Sequence, residues 1–187
     1  MGRKLKGYCL DENQENYALA CLEFAARLEQ RLTPSDELTE NGGEQTEDKM
    51  QEKELSAENA ISWDELAAAL EQRRLAENER RECLIKEGHR VYGPVSFSKP
   101  AYLQYELTRY RLDFVTESGA SGQNYPYREV TEAEKRRFYR EHPQLFTRYA
   151  GDRFSYHETE MIIEKWIREM EYEQNIRDIL CQRREGR

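Results

Sequence analysis

Three helix-start signatures constrain what this chain can fold into. Each is a capping box, in which a serine or threonine and a glutamate three residues later cap the first turn of a helix. The pairs are Ser62 with Glu65, Thr131 with Glu134 and Ser155 with Glu158. The sequence has no useful run of alternating apolar and polar residues, the pattern of a strand. It therefore predicts an all-α fold, an irregular bundle of long helices.

The first helix is indicated by periodicity. Apolar residues from Tyr17 to Leu32 recur at steps of three and four, which places them on one helical face. The segment that follows is very different. Nine acidic residues and two lysines between Asp36 and Glu58 give it a net charge of −7, against −8 for the whole chain of 187 residues. Because so polar a segment cannot bury a core, we predict a mobile acidic loop after the first helix.

These patterns divide the chain into four parts. They are an N-terminal helix at residues 1–33, an acidic linker or disordered loop at 34–58, a helical domain at 59–182 and a tail at 183–187. The charged middle of the helix that starts at Ser62 is expected to be solvated. Ser98 is the expected N-cap of the next helix.

Catalytic and metal-binding motifs are not found in the sequence. The four cysteines are widely separated, without a CxxC pair, and the three histidines form no HExxH pattern. No phosphate-binding glycine loop or GxSxG motif occurs either. We therefore expect no enzymatic activity, no catalytic residue, no cofactor and no metal site.

The sequence also bears on location. No run of about 18 apolar residues exists, so no membrane span is expected. Asp11 and Glu12 stand where the apolar stretch of a signal peptide would be. The absence of such a signal favours the cytoplasm.

Aromatic side chains provide the candidate binding surface. Apolar residues spaced at i, i+4, i+7 and i+11 from Leu103 to Phe114 predict a buried stripe that includes Tyr110. Tyrosines on the flank of such a stripe suit adaptable protein contacts. The candidate polypeptide-binding residues are Tyr92, Phe97, Tyr102, Tyr105, Tyr139, Tyr149 and Trp166.

Basic and aromatic residues alternate between Arg128 and Arg153. This combination can bind single-stranded nucleic acid through phosphate contacts and base stacking. The segment has only two more basic than acidic residues, and the net charge of the chain repels polyanions. Nucleic-acid binding is therefore the less favoured interpretation.

Two stretches resemble a known family. They are YGPVSFSKPAYLQYELTRY and VTEAEKRRFYREHPQLFTR, within a likeness that spans about residues 61–180. They are similar to the helical chaperone region of bacterial SurA/PrsA-type foldases, without the parvulin prolyl-isomerase domain that those proteins often carry. The resemblance implies a domain that binds unfolded or partner polypeptides in a groove between helices. It also implies an extracytoplasmic location if an export signal is missing from this sequence.

The leading hypothesis from sequence is chaperone-like binding of unfolded or partner polypeptides without catalysis. The alternative is a structural or scaffold protein. In that case the same helices form a homodimer or bind one fixed partner.

Overall fold

The computed structural model of the protein describes residues 4–32, 61–116, 129–148 and 151–185. Within these ranges the helices are α1 (Glu12–Leu32), α2 (Trp63–Lys86), α3 (Lys99–Val115), α4 (Glu132–Glu141), the 3-10 helix Pro143–Phe146 and α5 (Tyr156–Glu185). No strand occurs in the same ranges, where one isolated antiparallel bridge joins Thr147 and Arg153. The predicted all-α fold is confirmed. The predicted acidic linker at 34–58 lies outside the described residues.

Two of the three predicted capping boxes are formed. Thr131 and Glu134 make the reciprocal hydrogen bonds at α4. At α5, the Ser155 N–H donates to the Glu158 carboxylate (2.7 Å), and the Glu158 N–H donates to the Ser155 hydroxyl (3.4 Å). The third prediction is wrong, because the Ser62 side chain makes no capping hydrogen bond at α2. Next to it, Arg183 donates to the Ile61 carbonyl (2.5 Å), which is a tertiary contact at this helix start.

The larger region of the molecule, called the body, comprises α1, α2, α3 and the C-terminal half of α5. One hydrophobic cluster joins α1, α2 and α3 and includes Leu70 and Leu103. A second cluster joins α1 to α5 and includes Phe24 and Ile176. Tyr110 is buried in the first cluster, as the stripe predicted on α3 requires.

The smaller region, called the α4 unit, comprises α4, the 3-10 helix, the Thr147–Arg153 bridge and the N-terminal half of α5. Its core consists of three buried side chains, Phe138, Phe146 and Ile163. Among the described residues, α4 packs on α5 and has no comparable packing with α1, α2 or α3. Helix α5 therefore connects two regions that each have a core of their own.

Side chains from the middle of α2 bind residues 89–97, a segment called the strap, which leads to α3. Arg81 Nη1 donates to the carbonyls of Tyr92 (2.8 Å) and Pro94 (3.0 Å). Asn78 exchanges two hydrogen bonds with the backbone of Phe97. The expectation that this charged stretch is solvated is therefore wrong for Asn78 and Arg81. Both side chains are buried, and their polar groups form hydrogen bonds with the backbone of the strap.

Candidate functional site

The seven aromatic residues predicted from the sequence do not form one surface. Four of them lie in the strap and at the start of α3: Tyr92, Phe97, Tyr102 and Tyr105. Tyr139 and Trp166 belong to the α4 unit. Tyr149 lies outside the described residues. The structure therefore offers two separate candidate sites, one at the strap and one beside the α4 unit.

Phe97 and Tyr102, two of the predicted polypeptide-binding residues, are buried. The Phe97 ring centroid lies 5.6 Å from that of Tyr102 and 5.2 Å from that of Tyr105. The Arg81 guanidinium lies 4.5 Å from the same centroid. Asn78 holds the Phe97 backbone against α2. The buried rings of Phe97 and Tyr102 pack on each other and stabilise the end of the strap.

Tyr139 and Trp166 both pack on the core of the α4 unit. Tyr139 contacts Phe146, with ring centroids 4.8 Å apart, and its hydroxyl donates to the Phe154 carbonyl. The Arg153 guanidinium covers the Tyr139 ring at 3.8 Å from its centroid. Trp166 is half-buried and lies 5.5 Å from Phe146 by ring centroids. Tyr139 is thus mainly structural, whereas Trp166 also lines a cleft.

This cleft runs along α5, beside α4 and the end of α3. Two adjoining cavities of about 240 and 440 Å³ form it, and both are lined by Phe138, Met170 and Arg177. Leu145 and Trp166 line the smaller cavity. Leu145 is 44% exposed and Met170 is 48% exposed. The floor of the cleft is therefore apolar and open to solvent.

Charged side chains surround this floor. Arg111 on α3 and Glu169 on α5 form an ion pair at the smaller cavity (3.4 Å), and Arg137 pairs with Glu141 at the larger one (3.8 Å). With His142 counted as neutral, three arginines face five glutamates, a surplus of two negative charges. These residues are Arg111, Arg137, Arg177, Glu134, Glu141, Glu169, Glu171 and Glu173. The cleft is an apolar groove with a mildly acidic rim.

Two carboxylates hold the arginines beneath the strap in place. Hydrogen bonds from Arg74 lower the pKa of Glu71 to about 2, and the Tyr8 hydroxyl contributes a further hydrogen bond. Hydrogen bonds from Arg80, and then from Arg81, lower the pKa of Glu77. Both glutamates therefore stay ionised near neutral pH, and they fix the guanidinium groups that face the strap.

Sequence reasoning does not identify Leu145 and Met170 as site residues. One signal was available, since Met170 follows Trp166 by four residues and so shares its face of α5. An apolar helix face normally indicates a core contact, however. Whether that face is covered depends on how α4 docks, which the pattern alone does not specify.

In the described part of the chain, no helix combines the length and apolar character needed to cross a membrane. Over the same residues, no three His, Cys, Asp or Glu side chains are grouped so that they could hold a metal ion.

No family model matches the chain, and no curated protein matches it. Two solved structures are similar to it, both of the GH136 lacto-N-biosidase from Eubacterium ramulus. The native protein is 25% identical over 91% of this chain and 28% of that chain, with a TM-score of 0.42. The selenomethionine derivative is 27% identical over 89% and 27%, with a TM-score of 0.40. The chain thus spans little more than a quarter of the enzyme's length, and the TM-scores are too low to establish a shared fold.

These findings correct the expectations that followed from the family resemblance and from the lack of motifs. The resemblance to SurA/PrsA-type foldases is wrong, because the structural neighbours are a glycoside hydrolase and no family model or curated protein supports that relationship. The chaperone interpretation conflicts with the same neighbours. The expectation of no enzymatic activity is contradicted as well, since these neighbours are an enzyme. The likeness itself assigns no activity to this chain.

Proposed function

We propose that this protein is a helical binding domain that holds a segment of a partner protein in the cleft. The observation that carries the proposal is the apolar floor of Leu145, Trp166 and Met170, open to solvent along α5. Apolar side chains on a concave surface gain free energy when a partner removes them from water. Leu145 and Met170 are the residues with most surface left to bury.

The dimensions of the cleft favour a short segment as its occupant. Trp166 and Arg177 mark its ends on α5, eleven residues apart. At ~1.5 Å per residue this is about 16 Å, or roughly three helical turns. An amphipathic helix of that length would place apolar side chains in both cavities, as helices do in grooves of other proteins.

The charges of the rim favour a basic flank on that segment. The surplus of two negative charges would repel an acidic segment and attract a basic one. Such complementarity acts mainly on the rate of encounter and on partner selection, whereas the apolar floor supplies the affinity. The proposed occupant is therefore an amphipathic, basic segment of another protein.

A labelled amphipathic peptide of leucine and lysine, of about 14 residues so that it can form a helix, provides the test. We expect its fluorescence anisotropy to rise when the intact chain is added, and an unlabelled leucine–glutamate peptide of the same pattern not to displace it from the cleft. Met170→Arg should weaken binding by about tenfold or more, because it places bulk and positive charge in the floor. Leu145→Arg should do the same.

Met161→Arg is the matched control, since Met161 lies on α5, is 88% exposed and lines neither cavity. It adds the same charge and should change the affinity by less than about twofold. Equal losses in the Met170 and Met161 variants would overturn the proposal. So would light scattering that shows a stable dimer dispersed by Met170→Arg, since the cleft would then be a contact between two copies.

A further inference from the structure

The second candidate site, at the strap, also has exposed apolar side chains. Tyr92 is 91% exposed, Val95 is 61% exposed and Tyr105 is 41% exposed. We propose that the strap, together with Tyr105 on α3, is a preorganised docking surface that binds an acidic, apolar segment of a partner protein through these three side chains. The proposal does not depend on what occupies the cleft.

The backbone of the strap is held at three positions, Tyr92, Pro94 and Phe97. Arg81 binds two of its carbonyls, Asn78 binds both backbone groups of Phe97, and Arg74 adds a hydrogen bond to the Phe97 carbonyl (3.0 Å). Gly93 has a φ of +83°, a conformation that glycine adopts without strain, and the next residue is a proline. The strap therefore has little freedom to lose when a partner binds.

Rigid support and exposed apolar side chains are an unusual combination for a simple connection between helices. Placing Asn78 and Arg81 in a buried site removes their polar groups from water, which is unfavourable unless the hydrogen bonds to the strap replace that water. A segment that only connected α2 to α3 would need neither the buried Asn78 and Arg81 nor the exposed apolar side chains. Exposed aromatic side chains on a fixed backbone are typical of binding anchors, because ordering them at an interface has little entropic cost.

Three arginines and two glutamates lie near these side chains, a surplus of one positive charge, and both Arg80 and Arg109 lie close enough to Tyr105 to interact with it electrostatically. Arg80 is exposed on α2, Arg109 lines the shallow cavity next to Tyr105, and Arg90 is exposed two residues before Tyr92. The nearby carboxylates of Glu77 and Glu106 already accept hydrogen bonds from Arg80 and Arg109. A segment with aspartate or glutamate beside its apolar residues would complement this surface.

The opposite flank of α2 does not share this character. There Glu79 and Glu82 line a separate cavity with Leu75 and Ser96. An acidic segment would be repelled from that flank and directed to the side with Tyr92 and Tyr105. The predicted preference for acid is thus the reverse of the preference proposed for the cleft.

The leucine–glutamate peptide, labelled for anisotropy, is the probe for the strap. We expect it to bind the intact chain, and Tyr92→Ala and Val95→Ser to weaken that binding, the former by about tenfold. Met161→Ala, which removes an equally exposed side chain elsewhere on the surface, should leave it unchanged. Arg81→Met tests preorganisation, since Tyr92 remains but its carbonyl loses its donor. It should weaken binding and accelerate hydrogen exchange of the strap amides together.

The two sites can be separated with the same reagents. Met170→Arg should leave leucine–glutamate binding intact, and Tyr92→Ala should leave leucine–lysine binding intact. The strap proposal is overturned if Tyr92→Ala and Met161→Ala bind the acidic peptide equally. It is also overturned if a labelled oligothymidine binds at the strap in place of the acidic peptide, because the basic surface would then be a nucleic-acid site.

Discussion

The body and the α4 unit are stabilised in different ways. The body is joined by residues far apart in the sequence, at a polar centre around the fully buried carboxylate of Glu23. That carboxylate accepts hydrogen bonds from Arg27 (2.5 Å), Trp63 Nε1 (2.6 Å) and Arg183 Nη2 (2.8 Å). One side chain on α1 thus connects the start of α2 to the end of α5.

The α4 unit is local by comparison. Its core residues Phe138, Phe146 and Ile163 lie within 26 positions of one another, and its helix starts are capped by side chains three residues away. A region with so small a core can open without unfolding the rest. The cleft lies where the α4 unit adjoins the body, so opening of the α4 unit would change the shape of the cleft.

Glu23→Ala should give the largest loss of stability. The substitution leaves Arg183 and Trp63 without their buried acceptor, and removing one partner of a buried ion pair costs roughly 3–5 kcal/mol. Urea unfolding followed by circular dichroism measures the loss. The control is Glu141→Ala in the exposed pair with Arg137, expected to cost less than about 1 kcal/mol. Equal losses would mean that the polar centre does not stabilise the body.

Phe146→Ala should destabilise the α4 unit selectively. Phe146 is fully buried and contacts the rings of Phe138, Tyr139 and Trp166, so the cavity should cost about 3 kcal/mol. We expect amide hydrogen exchange to accelerate in α4 and at the start of α5, with α1 and α2 unaffected.

Leu70→Ala in the body is the matched substitution for that experiment. It also empties a fully buried site, yet it should accelerate exchange in every helix, because the body is the region whose opening unfolds the chain. If Phe146→Ala accelerates exchange in α1 and α2 as much as in α4, the two regions form one cooperative unit and the comparison fails.

The sequence predicted most of the local structure. The boxes at Thr131 and Ser155 and the buried stripe through Tyr110 were readable because each depends on residues within a few turns of one helix. The box at Ser62 was mispredicted, and a contact between distant residues lies at that helix start. There the Ile61 carbonyl is bound by Arg183, 122 positions away, and no local pattern encodes that contact.

The candidate sites were only partly predictable. Tyr92 and Tyr105 were identified from aromatic character, and both are exposed. Tyr102 was placed on the surface, although Phe97 and Tyr105 enclose it. Helical spacing fixes the direction of a side chain but not which neighbour lies there. The strap, which carries Phe97, has no periodicity from which its position could be derived.

Asn78→Ala should have a smaller effect, confined to the attachment of the strap to the body. It removes both hydrogen bonds to Phe97 and leaves a buried backbone N–H without its acceptor, at a cost of about 1–3 kcal/mol. Asn175→Ala on α5 is the control, since that side chain is exposed and should contribute within about 0.5 kcal/mol. Amide hydrogen exchange of the strap measures the effect. If Asn78→Ala leaves that exchange unchanged, Arg81 and Arg74 alone hold the strap.

The smallest expected effect is a dependence of the body's stability on pH. Hydrogen bonds from Arg74 lower the pKa of Glu71 to about 2 in the folded chain, from an ordinary value of 4.5. A lowered pKa means that the ionised form is favoured by folding, so the contribution is complete above about pH 4.5 and is lost as the pH falls toward 2. Because solvent screens this partly exposed carboxylate, we expect about 1 kcal/mol at most.

Glu71→Gln should therefore be less stable than the intact chain near neutral pH, and the difference should shrink as the pH falls and vanish below about pH 2, where Glu71 itself becomes protonated. Urea unfolding across this range measures it. Glu158→Gln makes the matching change in the α4 unit, where the Ser155 hydroxyl and then the Ser155 backbone N–H lower the pKa of an exposed carboxylate. Its effect should appear in the exchange of the first turn of α5 and leave the body unchanged. If the difference in unfolding free energy between the intact chain and Glu71→Gln stays constant with pH, the ionised Glu71 carboxylate does not stabilise the body. Arg81 and Asn78 would then be the side chains that attach the strap.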